Sequence, residues 1–280
     1  MNLKMPTPIK YFIPAAGLLG SWLYQILFHA GLDARGLPDP AHWSHMALLL
    51  LTAAVSAVIL LSLRTLPQKE APATHCPTVF GGICCVIGAL ACLLFSPPAA
   101  RTGFSATADT VMRGICTVLL CVLAYCRFTG KKPFFLFHGI LCLYLAFRLI
   151  NQYRFWSADP QILEYCFYLC GYAALMLAAY QQAAFDAGFG NFKSLWLWSS
   201  AAAFLCFVTL AGPQERLFMP AFGLWVLSGL SAVNPAPFVE EPFSPIEEAV
   251  PATEEPVSPI EESVPATEEP VSPIENPEEG

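Results

Sequence analysis

Along the chain, long apolar blocks alternate with short polar stretches, and the blocks are too continuous to be the one-sided stripes of soluble helices. Eight windows stand out: residues 11–29, 45–66, 77–97, 108–127, 133–150, 163–183, 194–211 and 216–233. Crossing the hydrocarbon core of a bilayer takes about 20 mostly apolar residues. In lipid each backbone N–H and C=O must be satisfied within its own segment, so such runs are read as helices. The connections agree with this division. Residues 31–44 contain Pro38 and Pro40, residues 67–77 contain Pro72, and residues 96–108 contain Pro97 and Pro98, all loop signals. The expected fold class is all-α, a polytopic membrane helix bundle of about eight transmembrane helices over residues 1–233. A disordered C-terminal tail is expected over residues 234–280.

Lys4 and Lys10 precede the first window as the charged region of a signal peptide would. Its apolar run of about 18 residues exceeds the usual stretch of roughly 7–15, and no small-x-small site follows it. An uncleaved first span is expected, with Pro14 in its first turn, where a missing N–H costs little. The last two windows are joined only by residues 212–216, and are expected to form a tight helical hairpin.

Orientation follows from the side on which positive charge gathers. With a cytoplasmic N-terminus, the inner side carries eight basic residues: Lys4, Lys10, Arg64, Lys69, Arg127, Lys131, Lys132 and Lys193. The outer side carries six, Arg35, Arg101, Arg113, Arg148, Arg154 and Arg216, so every lysine falls inside. Both termini are expected in the cytoplasm, and the protein in the cell membrane. The six tryptophans, mostly near window ends, suit the headgroup region.

Composition sharpens the picture. Only 12% of residues are charged, against about a quarter in soluble domains. The net charge of −7 divides sharply: residues 240–280 hold thirteen glutamates and no basic residue, leaving fourteen Lys+Arg against eight Asp+Glu elsewhere. The body is therefore mildly basic and the tail strongly acidic. Nucleic acid is not an expected partner, because that affinity rests on neutralising phosphates. The tail repeats with a period of 14: residues 244–257 read SPIEEAVPATEEPV, and residues 258–271 differ only by Ser263 in place of Ala249. Frequent proline and paired glutamates predict an extended tether. The 47 residues after Val233 would reach on the order of 140 Å when fully extended. The tail is read as a solvated segment expanded by duplication, or as a docking segment for a cytoplasmic protein, with Ser244, Ser258 and Ser272 as modification sites.

Eleven cysteines fall almost wholly inside apolar windows and are read as small buried hydrophobes. His138 and Cys142 share a helix face, and Cys166 and Cys170 repeat that spacing on the next helix. Thiolate and imidazole suit Zn or Cu(I), but the two pairs sit at different depths, so no metal is expected. Small residues at Ala16 and Gly20, at Gly82, Gly88 and Ala89, and at Cys170, Ala174 and Ala178 predict close helix packing.

The densest polar cluster runs from Arg148 through Asn151, Gln152, Arg154 and Asp159 to Glu164, between the fifth and sixth windows. Asp109 and Arg113 stand at i,i+4 on the fourth helix and can pair. Charges within spans are costly and usually face the bundle interior or water. Arg113, Arg148, Arg154 and Glu164 are therefore the candidate ligand-binding residues, lining an outward pocket for an anionic or zwitterionic small molecule. The competing expectation is snorkelling, with these side chains reaching back to water. No P-loop, H-E-x-x-H, G-x-S-x-G or C-x-x-C is present, so no catalytic residue and no cofactor is expected. Two function classes follow, with a membrane enzyme ranked behind them: a component that binds or transports a small molecule, and a scaffold or sensor that recruits a cytoplasmic protein through the tail.

Overall fold

A computed structural model describes residues 7–31, 39, 41–66, 74–75, 77–94, 104–156, 166–211 and 217–234. These residues form eight helices: α1 (Thr7–Ala30), α2 (Trp43–Thr65), α3 (Val79–Leu94), α4 (Phe104–Thr129), α5 (Phe135–Trp156), α6 (Cys166–Ala187), α7 (Phe192–Val208) and α8 (Phe218–Ala232). A turn of 3-10 helix, Thr209–Ala211, continues α7. Two short strands, β1 (Thr74–His75) and β2 (Val233–Asn234), pair antiparallel with Thr74 opposite Asn234. The repeats of the tail lie outside the described residues.

Each of the eight windows holds one helix, but the helices are unequal. Tyr11–Ala30, Trp43–Arg64, Ala106–Thr129 and Phe135–Arg154 are long and apolar enough to cross a membrane. Helices α3, α7 and α8 have 16, 17 and 15 residues, and 15 residues rise only about 22 Å. The outward faces are apolar, as with Leu49, Leu50, Leu60 and Leu61 on α2 and Val118 on α4. Such helices mark a membrane protein. One expectation is corrected: α1 begins at Thr7, so Pro14 lies inside the helix, not in its first turn. The helix continues because, without water, its polar backbone has no better partner than itself.

Helices α3, α4, α5, α6, α7 and α8 pack in that order, and α8 returns to α3, closing a ring of six. Helices α1 and α2 attach to this ring through α7. Two apolar cores result. One fills the ring with Cys85, Leu120, Leu145, Leu175, Cys206 and Phe222. The other joins α1, α2 and α7 through Ile13, Val55, Trp196 and Phe204. At the second core α1 approaches α7 closely, since a Cβ on Gly17 would stand 2.5 Å from Phe207 Cβ. Glycine is needed there by contact distance, one position from the expected Ala16 and beside the expected Gly20.

Two tight turns set one end of the ring. After α4, Gly130 takes φ +70° and the Lys131 N–H donates to Cys126 O. After α6, Gly188 takes φ +90°, the Phe189 N–H donates to Ala184 O, and the Gly188 N–H donates to Phe185 O. The second is a Schellman ending, the first shares its outer hydrogen bond, and both satisfy orphan carbonyls with a glycine in the left-handed region. Asn191 then caps α7, its Oδ1 accepting from the Lys193 N–H at 2.8 Å.

Candidate functional site

The inward face of α5 carries His138, Leu141, Tyr144, Leu145, Arg148 and Gln152, all essentially without solvent exposure. The spacing of three and four residues places them on one stripe. Polar residues therefore enter the ring at two depths, near each end of α5. On α8, Phe218, Phe222 and Trp225 make an aromatic ladder beside them: Phe218 stacks on Phe222 at 4.5 Å, and Phe222 meets Trp225 edge-on at 5.7 Å. Each end of the ladder holds one polar group of α5.

At the upper end, away from the tight turns, the Arg148 guanidinium carbon stands 4.4 Å from the centre of the Phe218 ring. Tyr144 and Tyr172 flank it, each at 5.9 Å. Arg148 Nη1 also donates to Tyr144 Oη at 3.1 Å. A guanidinium over desolvated aromatic faces gains about 2 kcal/mol, which offsets part of the cost of taking the charge out of water. On α4, Arg113 Nε lies 3.1 Å from Asp109 Oδ2, and Arg113 Nη2 donates to Thr110 Oγ1 at 3.3 Å. The Cys92 thiol on α3 sits within electrostatic range of Asp109, Arg113 and Arg148 together. One carboxylate and two guanidiniums thus share a buried region bounded by α3, α4, α5, α6 and α8.

The four candidate residues separate. Arg113 and Arg148 come together in the interior, and Arg148, at 1% exposure, does not reach back to water as snorkelling would require. Arg154 is exposed near the end of α5, on the side away from the stripe. Glu164 lies outside the described residues.

No protein family, curated protein or solved structure matches this chain. What the site can do therefore rests on its own residues.

At the lower end, His138 Nδ1 is 2.7 Å from Asp186 Oδ2, and both side chains are buried. The imidazole stacks on Trp225 with ring centres 5.9 Å apart and planes 18° from parallel. One turn before Asp186, the buried Gln182 Nε2 points at Val226 O, 3.5 Å away. The sequence reading missed Asp186 because the sixth window ended at residue 183, leaving the aspartate in a loop. The signal was present: Gly188 is the glycine that closes a helix, which carries α6 through Ala187 and places Asp186 inside. Neither Cys142 nor Cys166 joins His138 there; the Cys142 thiol donates to Met176 O. Among the described residues, no three of His, Cys, Asp and Glu converge as a metal site.

Proposed function

We propose that this chain is a cell-membrane protein with eight spans and cytoplasmic termini, which binds a small anionic or zwitterionic molecule inside the α3–α8 ring. The observation that carries the reading is Arg148, a guanidinium buried among Tyr144, Tyr172 and Phe218 and close to the Asp109–Arg113 pair. An arginine within a span is costly, up to roughly 2.5–3.5 kcal/mol at the centre on insertion scales, and such residues mark ligand and ion pathways. Guanidinium offers planar paired donors suited to carboxylate or phosphate, and Asp109 adds a partner for an ammonium group. Arg113 and Arg148 are the residues assigned to the ligand inside the ring, and Glu164 keeps the ligand-binding role expected from the sequence.

The burial of Arg113 and Arg148 also supports the orientation. Interior arginines do not contribute interfacial charge, so setting aside the buried Arg113 and Arg148 on the outer side and the buried Arg127 on the inner side leaves four against seven. The short α7 is read as a span because the tight connection at residues 188–191 reverses the chain after α6. Helices α3 and α8 are read so because they complete the ring beside α4 and α7, and bilayers thin around short helices.

The test is mass spectrometry of small molecules that copurify with the full chain in mild detergent, repeated on Arg148→Ala and Glu164→Ala. A discrete anionic or zwitterionic metabolite held by the parent chain, and lost from both inserted variants, is expected. An unchanged set of bound molecules would overturn the reading.

The recruiting function has one observation in its favour. The pairing of Val233–Asn234 with Thr74–His75 anchors the chain immediately before the repeats, giving a tether a defined origin. Deleting residues 240–280 should then remove a partner from a pull-down while the bundle stays inserted; retention of the same partners would sink this idea.

A further inference from the structure

We propose that the ligand of the Arg113–Arg148 region is an anionic lipid, with one acyl chain in a groove of α4 and its phosphate at the top of that groove. The inference rests on the reading of Arg113 and Arg148 as ligand residues, and names the class of molecule they take. The groove has a volume of about 370 Å³ and is lined by Val111, Gly114, Ile115, Val118 and Leu119. Ligand pockets begin at roughly 300 Å³. Its floor is Gly114, where an added Cβ would meet nothing within 4 Å. Val111 and Val118 are exposed and lie within the Ala106–Thr129 span, so the groove opens toward the hydrocarbon of the bilayer.

One end of the groove meets a charge. Thr110 is exposed and stands one turn before Gly114 on the same face. Its Oγ1 accepts from Arg113 Nη2 at 3.3 Å. The Arg113 guanidinium therefore reaches the rim of the groove, and the residue keeps 9% exposure where Arg148 keeps 1%. Among the described residues, the Asp109 carboxylate offsets one of the two guanidiniums, and the region keeps one positive charge. A phosphate diester carries the negative charge that balances it, and its paired oxygens match the guanidinium fork. The lining below Thr110 is apolar, as an acyl chain requires.

The place of the groove in the ring connects it to the second arginine. Phe128 packs toward α3, because a Cβ on Gly82 would run into its ring. Leu119 stands about two and a half turns earlier, and so points to the opposite flank of α4, toward α5. There α4 and α5 touch least of all neighbours in the ring, although a short turn joins them. The groove thus borders the loosest seam of the ring, and Arg148 lies behind that seam on α5. Other lipid-facing surfaces lack this combination. Helix α2 presents Leu49, Leu50, Leu60 and Leu61 and has no Asp, Glu, Lys or Arg before Arg64.

The experiment is native mass spectrometry of the full chain in mild detergent, stripped of lipid and titrated with dioleoyl phosphatidylglycerol, dioleoyl phosphatidylcholine or glycerol phosphate. Phosphatidylglycerol is expected to bind about tenfold or more tighter than phosphatidylcholine, as hydrogen bonds to a charged group require. Gly114→Leu fills the groove without touching a neighbour, and should lower phosphatidylglycerol affinity by about tenfold or more through overpacking. Melting of the lipid-free chain should stay as it is or rise, because leucine is the better helix former. Gly139→Leu, at the open glycine of α5 outside the groove, should leave lipid affinity unchanged. Equal uptake of both lipids, or uptake unmoved by Gly114→Leu, would overturn the proposal. Glycerol phosphate bound as tightly as the lipid would also overturn it, and would leave the reading of a ligand inside the ring standing. A chain that retains no anion at all, lipid or soluble, would sink both.

Discussion

Arg148 on α5 and Phe218 on α8 face one another inside the ring at 4.4 Å, guanidinium over ring, and this contact ties a buried charge to an otherwise apolar helix. The arrangement places the cation where lipid and water are both excluded. It also makes the contact measurable. A double-mutant cycle with Arg148→Gln and Phe218→Leu should give a coupling energy of about 0.5–2 kcal/mol, read from thermal melting in detergent. Additive effects would mean that the ring acts only as a filler.

The Asp109–Arg113 pair should behave as a unit. Asp109 is 1% exposed and the Arg113 side chain 11%, so removing one partner leaves a poorly solvated charge. Asp109→Asn alone should destabilise by on the order of 3 kcal/mol, whereas Asp109→Asn with Arg113→Gln should recover most of that loss. Melting temperatures of the three variants check the order, and a double variant worse than either single would contradict it.

The α6–α7 turn separates two kinds of glycine. Gly188 has φ +90° and open space around its Cβ position, so Gly188→Ala should cost about 1–2 kcal/mol from backbone conformation alone. At Gly190 an added Cβ would run into the Phe185 backbone, and Gly190→Ala should cost more. Chemical denaturation of the two variants tests the ranking. The reverse order would show that the turn rearranges freely.

Orientation can be read directly. A fluorescent reporter that folds only in the cytoplasm, fused after Gly280, is expected to be bright, because the lysines at 131 and 132 are exposed at the α4–α5 turn and positive charge stays inside. A dark fusion with an active periplasmic or extracellular reporter at the same point would reverse the assignment.

The apolar blocks, their spacing and the proline-marked connections were enough to locate the eight helices of the described residues, because helix formation in lipid is a local demand of the backbone. The i,i+4 pairing of Asp109 and Arg113 was legible for the same reason: both partners lie on one helix. Helix ends were less legible. Pro14 fell inside α1, and Asp186 fell inside α6, because caps depend on a few turn residues and not on hydrophobic average. The sequence by itself thus determined a membrane protein of apolar helices with an acidic repeat after it. Only the tertiary structure decided which polar residues meet: Arg148 with Phe218, and His138 with Asp186, 48 positions apart. Such pairings depend on which helices become neighbours and how each is rotated, and apolar helices of nearly uniform composition carry little of that information along their length.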